Sequence, residues 1–348
     1  MLTPQELQQS RPLDATARAT VTNARTAVQQ ILDRCDPRLL VVVGPCSIHD
    51  PVAALDYASR LRELAREVSD TLLVVMRTYL EKPRSTVGWK GYVTDPALDG
   101  TCQMETGLQR ARALLHYINA HGLPCATESL DPMLVPYTED LVSWTALGAR
   151  TAESQVHRAM ASGLAMPVGI KNGTDGCVAT AVDGIEAIAS QHTYVAVADH
   201  GGLAMTRSNG NAHTHVVLRG GRDGPNFDAG SVADCESALS RRQMRANIMV
   251  DCSHANANKM HERQLDVLEE VSRQLCAGNH SLMGVMLESF LFPGNQPATR
   301  PVEARSYGVS VTDPCLGWGD TERALRELRK AIKPALEMRA SSPQRAVA

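Results

Sequence analysis

Leu72-Leu73-Val74-Val75-Met76-Arg77-Thr78-Tyr79-Leu80-Glu81-Lys82-Pro83-Arg84-Ser85-Thr86-Val87-Gly88-Trp89-Lys90 runs from an uninterrupted apolar segment straight into a string of cations. An apolar run this short and continuous reads as a strand covered on both faces, the kind found in parallel sheets. It delivers Arg77, Lys82 and Arg84 to its own C-terminal end and the loop beyond. Buried cations need anionic partners. For this segment alone, a bound anion and a structural ion-pair network are equally good readings.

Seven further runs of the same kind flank it. They are Leu39-Leu40-Val41-Val42-Val43, Leu123-Pro124-Cys125-Ala126-Thr127, Ala146-Leu147-Gly148-Ala149, Pro167-Val168-Gly169-Ile170, His215-Val216-Val217-Leu218, Ile248-Met249-Val250 and Leu282-Met283-Gly284-Val285-Met286-Leu287. Amphipathic segments separate them. After Asp50-Pro51, an N-cap and first-turn pair, Val52, Leu55, Ala58, Leu61, Ala65 and Val68 fall on one helical face. Other helices are expected over 103–120, 132–143, 153–164, 177–190, 229–243, 257–276 and 320–338. Eight buried strands, each followed by a helix, predict an α/β fold, a (β/α)8 TIM barrel.

Three decorations are expected around the 38–338 barrel. Residues 1–37 read as a polar arm and a helix carrying Ala24, Val28, Ile31 and Leu32, packed on the outside. The segment 193–207, with its turn near His200-Gly201-Gly202, reads as a β-hairpin inserted before the sixth barrel strand. The tail 339–348 is expected to be disordered.

Composition narrows the class. The 348 residues hold 35 Lys and Arg against 38 Asp and Glu, a net charge of −3 that gives no electrostatic case for nucleic acid. Cations concentrated in a few loops of a mildly acidic chain suit a small anionic substrate. Nine scattered cysteines, mostly within apolar segments, fit a reducing cytoplasm better than a disulfide framework. No signal segment and no apolar run near the ~18 residues of a membrane span is visible.

Chemistry in such barrels gathers at the C-terminal strand ends. Those ends carry Cys46, Arg77 with Lys82 and Arg84, Glu128, Arg150, Lys171, Arg219, His254 and Glu288. One cation at a strand end is more often structural, but several converging on one mouth favour an anion site. Thr151, as an expected helix N-cap, would add backbone N–H groups beside Arg150. Cys46, His254, Glu288 and Asp313 together suit Mn, Fe, Co or Zn better than Mg or Ca. Spacing supports that set weakly: taken alone, Cys46 reads more readily as a buried core thiol and His254 as a hydrogen-bonded loop residue than either does as a ligand.

In order along the chain, several motifs resemble those of the class I (microbial, Phe/Tyr/Trp-regulated) 3-deoxy-D-arabino-heptulosonate 7-phosphate synthases. They are Gly44-Pro45-Cys46-Ser47-Ile48-His49-Asp50, Glu81-Lys82-Pro83-Arg84-Ser85-Thr86-Val87-Gly88-Trp89-Lys90-Gly91, Gly148-Ala149-Arg150-Thr151, Lys171-Asn172-Gly173-Thr174-Asp175-Gly176, Asp251-Cys252-Ser253-His254-Ala255-Asn256 and Thr312-Asp313-Pro314-Cys315. The resemblance implies a metal-dependent condensation of phosphoenolpyruvate with erythrose 4-phosphate, the first step of the shikimate pathway. By similarity Cys46, His254, Glu288 and Asp313 hold one divalent ion (Mn, Fe, Co or Zn). Arg150, Lys171, Arg219 and the Ala149 backbone hold the phosphoenolpyruvate phosphate, while Arg77 and Lys82 hold its carboxylate. Arg84 and Ser85 anchor erythrose 4-phosphate, and Lys90 and Glu128 border the site. Lys82, Arg77, Asp313 and His254 are the catalytic set. A metal-ligating Cys46 also implies sensitivity to oxidation, with Cys315 as its disulfide partner.

The family is usually inhibited by Phe, Tyr or Trp near the hairpin and outer helices. By similarity Pro136, Ala165, Tyr194 and Met205 border that pocket, and a homo-oligomer, dimer or tetramer, is expected. Two features depart from the pattern: the N-terminal arm is shorter, and Ala165 stands where serine is usual. The intact Lys82-Pro83-Arg84-Ser85 favours the four-carbon aldehyde over a changed aldehyde partner. A non-catalytic homologue would show a damaged ligand set, and all four ligand types are present.

Overall fold

The computed structural model describes residues 1–341. Eight parallel strands close into a barrel: β1 (Leu39–Gly44), β2 (Leu72–Arg77), β3 (Cys125–Glu128), β4 (Trp144–Leu147), β5 (Val168–Lys171), β8 (Thr214–Leu218), β9 (Ile248–Asp251) and β10 (Leu282–Glu288), with β10 pairing back onto β1. Val41 lies opposite both Val74 and Val285, which fixes β1 between its neighbours. The antiparallel hairpin β6 (Thr193–Val197) and β7 (Leu203–Arg207) stands outside the barrel. No helix among the described residues is long and apolar enough to cross a membrane.

The continuous apolar runs arise because each strand is buried on both faces. In β1, Leu39, Val41 and Val43 pack outward under the helices. Leu40 and Val42 point inward with Val75, Ala126, Trp144, Val217, Met249, Met283 and Met286 to fill the lumen.

The N-terminal arm differs from expectation. A short helix, α1 (Pro4–Ser10), precedes α2 (Ala15–Leu32), and α2 is not simply an outer helix. Val28, Ile31 and Leu32 pack into the lumen cluster, and the Leu32 carbonyl accepts a 3.0 Å bond from Asn247 Nδ2. The helix therefore closes the N-terminal mouth of the barrel, because open strand ends expose apolar side chains that only a second apolar element can cover.

The helices that follow the strands are α3 (Pro51–Glu67), α4 (Met104–Ala120), α5 (Gln155–Ser162), α6 (Ala179–Ala189), α7 (Ala229–Arg241), α8 (Gln264–Cys276) and α9 (Trp318–Ser341). The helix expected over 132–143 is replaced by two 3-10 turns, Val135–Tyr137 and Glu139–Leu141. Pro136 has no N–H to donate and its ring crowds the carbonyl one turn back, which disfavours an α-helix through this segment. The last helix continues to Ser341, into the stretch expected to be disordered, and residues 342–348 lie outside the described residues.

A buried histidine sits in the lumen, hydrogen-bonded to a tryptophan. Trp144 Nε1 donates to His215 Nε2 at 2.9 Å, and His215 Nδ1 faces the Val216 carbonyl at 3.2 Å. Both ring nitrogens are thus used in the neutral form, and burial lowers His215 from 6.5 to about 4. Burial similarly lowers His49 to about 4. A histidine held neutral in the fold contributes stability that is complete above pH 6.5 and is lost as pH falls toward 4. For His215 alone that loss is about 3 kcal/mol. The urea midpoint is expected to drop steeply between pH 7 and pH 4.5, and His215→Leu should flatten the drop; an equally steep fall in that variant would contradict this origin.

Candidate active site

The C-terminal strand ends converge as the barrel geometry requires. Arg77, the last residue of β2, is fully buried, its guanidinium 3.4 Å from the Tyr79 ring centre. Its Nη2 bonds Glu288 Oε1 at 2.8 Å and the Cys46 carbonyl at 3.2 Å, while Nε bonds the Pro45 carbonyl at 3.2 Å. The Gly44-Pro45-Cys46 turn, β2 and β10 are thereby tied together by one cation.

Lys82 reaches the same place from the loop after β2. Its Nζ lies 3.2 Å from both Cys46 Sγ and the Cys46 carbonyl. Burial opposes the charge on Lys82, but Cys46, Glu288 and Asp313 outweigh it and raise its affinity for the proton. Burial pushes the Cys46 thiol up to about 11, Glu288 adds to this, and Lys82 opposes it. Cys315 Sγ accepts a bond from the Cys46 N–H at 3.4 Å, so the two buried thiols are neighbours.

Cys46 Sγ and carboxylate oxygens of Glu288 and Asp313 all lie within 4.8 Å of one another. His254 joins them from the loop after β9, with Nε2 3.8 Å from Glu288 Oε1. Its backbone is in the left-handed region, φ 56°, a strained placement for a non-glycine residue. His254 Nδ1 faces Asp251 Oδ2 at 2.9 Å and Ser253 Oγ at 2.6 Å. Asp251 is held far below the ordinary carboxylate range, since His254 and Lys171 outweigh the effect of its burial. Facing an ionised carboxylate, Nδ1 carries the proton and Nε2 keeps its lone pair for the cluster.

This donor set fits a divalent cation. Glu288 Oε2 is buried without a hydrogen-bond partner, an arrangement that is costly unless a cation takes it up. Thiolate, imidazole and carboxylate together suit a borderline first-row ion.

Beside this cluster lies a field of cations. Lys171, ending β5, is buried and bonds Asp251 Oδ2 at 2.8 Å. The Arg219 N–H donates to Asn172 Oδ1 at 2.9 Å, which fixes the backbone after β8. Burial lowers the Arg219 guanidinium, Asp251 opposes that, and nearby Arg150 lowers it further. Arg150 Nε donates to Ser85 Oγ at 3.0 Å, joining two loops that are 65 residues apart in sequence. Two guanidiniums in each other's field make a site for a multivalent anion.

The remaining residues border this mouth. Arg84 Nε donates to the Trp89 carbonyl at 2.8 Å, and the Lys90 carbonyl accepts from the Lys82 N–H at 2.9 Å while its side chain is exposed. Glu128 is buried against Gly148, where a Cβ would stand 2.1 Å from Glu128 Oε1, so a larger residue there would displace the Glu128 carboxylate. Thr151 is not the helix cap. Its Oγ1 bonds the Gly148 carbonyl at 3.1 Å, and α5 starts later with Ser154 as N-cap. The helix dipole therefore does not add to Arg150 as the sequence reading expected.

The expected effector residues lie on another face. Gln8 Nε2 donates to the Pro136 carbonyl at 3.1 Å, and the Gln5 N–H donates to the Asp199 carbonyl in the hairpin turn at 2.9 Å. Tyr194 is half-buried with its hydroxyl close over Gly163, two residues before exposed Ala165. Met205 is exposed across the hairpin from Val195. The arm, the 3-10 turns and the hairpin thus meet on one side of the barrel.

Asp251 was not singled out as a site residue from sequence. Its signal was present: a carboxylate closing the otherwise apolar run Ile248-Met249-Val250, three residues before His254. Asn172, Asn226 and Asn256, which tie the Arg219 loop to β9, were also missed because amides in loops carry no sequence signature.

The model of the DAHP synthetase I family matches residues 17–326. The Tyr-sensitive phospho-2-dehydro-3-deoxyheptonate aldolase of Salmonella typhimurium is 49% identical over 339 residues, 97% of this chain and 95% of the relative. The Phe-sensitive enzyme of Escherichia coli K12 is 48% identical over 333 residues, 96% of this chain and 95% of the relative. A phospho-2-dehydro-3-deoxyheptonate aldolase from Francisella tularensis SCHU S4 superposes with TM-score 0.93 at 41% identity, covering 96% of this chain and 97% of that one.

Proposed function

This chain belongs to the DAHP synthetase I family, and from that premise we propose that it condenses phosphoenolpyruvate and D-erythrose 4-phosphate with water to give 3-deoxy-D-arabino-heptulosonate 7-phosphate and phosphate. That reaction is the first step of the shikimate pathway, which leads to chorismate and the aromatic amino acids. The observation that carries the assignment to this site is the cluster of Cys46, Glu288, Asp313 and His254 beside the buried cations Arg77, Lys82 and Lys171.

In this reading Cys46, His254, Glu288 and Asp313 hold one divalent ion of the Mn, Fe, Co or Zn kind. Bound there, it supplies Lewis acidity that polarises the aldehyde carbonyl. Arg150, Lys171, Arg219 and the Ala149 N–H receive the phosphate of phosphoenolpyruvate, and Arg77 with Lys82 receives its carboxylate. Arg84 and Ser85 receive the phosphate of erythrose 4-phosphate, with Lys90 and Glu128 at the border.

Holding phosphate and carboxylate at opposite ends fixes the enol plane, so that C3 faces the aldehyde carbon in one orientation. As the C3–C1 bond forms, positive charge develops at C2 and negative charge on the aldehyde oxygen. In this reading the Lys82 ammonium gives that oxygen a proton. Water then adds at C2 and loses one proton, which replaces the one the aldehyde oxygen took. As the C2–O bond to phosphate breaks, the new hydroxyl becomes the C2 carbonyl, its proton leaves with the phosphate, and the arginines neutralise the leaving charge.

The chain is further read as a cytoplasmic homo-oligomer, dimer or tetramer. An aromatic amino acid, Phe, Tyr or Trp, would bind where Pro136, Ala165, Tyr194 and Met205 line the arm-hairpin face. The test is phosphoenolpyruvate consumption with erythrose 4-phosphate by chelator-stripped protein, before and after adding Mn, Co or Zn, with and without each aromatic amino acid. Stripping should abolish turnover and a metal should restore it. Folded protein inactive with every metal would overturn the assignment, and inhibition by one amino acid would identify the effector.

A further inference from the structure

Asp251 is completely buried at the end of β9, and both of its oxygens are saturated. Oδ1 accepts from the Ser253 N–H at 3.1 Å and the Ser253 hydroxyl at 2.7 Å. Oδ2 is shared: Lys171 Nζ lies at 2.8 Å and His254 Nδ1 at 2.9 Å. His254 Nδ1 also faces Ser253 Oγ at 2.6 Å, so the hydroxyl relays the same carboxylate to the same ring. One oxygen therefore touches both a residue of the cation cluster and a residue of the anion clamp.

At zero exposure Asp251 is out of contact with bulk solvent, and in a low-dielectric setting each donor polarises the other's bond. A phosphate that draws on the Lys171 ammonium leaves Asp251 less neutralised. Oδ2 then pulls harder on the His254 Nδ1–H, and Nε2 becomes a stronger donor to a cation. In the other direction, a cation on Nε2 makes Nδ1–H more acidic in character, draws on Oδ2, and frees Lys171 for phosphate.

We infer that Asp251 is a positioning residue that couples the two halves of the site, so that cation and phosphate each tighten the other's binding. The inference rests on the reading above of His254 as a metal ligand and Lys171 as a phosphate contact. Linkage requires the two effects to be equal in size.

The experiment titrates metal-free protein with Co(II) at buffered free-ion concentrations, following thiolate-to-cobalt absorption from Cys46, with and without saturating inorganic phosphate. Phosphate is expected to lower the Co(II) Kd about five- to tenfold, within the usual range of site-to-site coupling. Co(II) should lower the phosphate Kd by the same factor. Asp251→Asn should still bind both probes with the factor collapsed toward one, whereas Ser253→Ala, which removes the relay but keeps the direct Oδ2–Nδ1 contact, should retain most of it. An unchanged Co(II) Kd in the wild type, or the full factor in Asp251→Asn, overturns the inference. Should Asp251→Asn fail to fold, Lys171→Gln decides: it keeps Asp251 on His254 but removes the shared cation, so a full factor there overturns it too. No thiolate absorption at all would instead overturn the ligand assignment, and the coupling with it, so the two failures are distinct.

Discussion

His254→Ala is expected to lower turnover about a thousandfold, the largest loss of any single substitution in this site. Lewis-acid stabilisation of a developing alkoxide is worth several kcal/mol, and each 1.36 kcal/mol is about tenfold in rate. His254 has no redundant neighbour. Its ring is oriented by Asp251 and Ser253, its Nε2 stands 3.8 Å from Glu288 Oε1, and its backbone is held at φ 56° to put it there. The check is kcat under saturating substrates with each metal added back, together with metal content after gel filtration. Near-normal turnover with stoichiometric metal would remove His254 from the ligand set.

Arg77→Ala should damage both activity and stability. Removing the guanidinium leaves Glu288 Oε1 and the Pro45 carbonyl without their donor, and the Cys46 carbonyl with Lys82 Nζ alone, at a site of zero exposure. Breaking a buried pair from one side costs about 3–5 kcal/mol, because the partner charge stays buried and uncompensated. A divalent ion on Glu288 would offset part of that charge, so the loss should be greater in chelator-stripped protein than in metal-loaded protein. Arg77→Lys should rescue little, since an ammonium cannot span carboxylate and two carbonyls with a planar fork. Urea denaturation with and without metal, alongside kcat/KM for phosphoenolpyruvate, tests both halves. A destabilisation independent of metal would show that Glu288 and the ion do not share this charge.

The barrel was legible because its strands announce themselves. Leu39–Gly44 and Leu72–Arg77 are apolar without alternation, which only a strand covered on both faces tolerates. The strand-end residues were legible for the converse reason: Arg77, Glu128, Lys171 and Glu288 each stop an apolar run with a charge. Motif resemblance then supplied the roles that spacing could not, since Cys46, His254, Glu288 and Asp313 share no local metal-binding pattern.

Local signals failed where longer-range packing or backbone chemistry intervened. Two 3-10 turns, the first holding Pro136, stand where a helix was expected, and Ser154 rather than Thr151 caps the helix that follows. The helix carrying Val28, Ile31 and Leu32 is amphipathic whether it covers the barrel wall or plugs its end, so its periodicity could not choose between them.

By itself the sequence determined the strand order of polarity, the barrel class and which residue types stand at the strand ends, because those depend on short-range burial patterns along one segment. Only the tertiary structure decided that Ser85 meets Arg150, that Arg77 locks Cys46 to Glu288, and that Asp251 Oδ2 serves Lys171 and His254 together. Apart from the local Asp251–His254 contact, each of those contacts joins different strands or loops, and the closure of the barrel sets their distances.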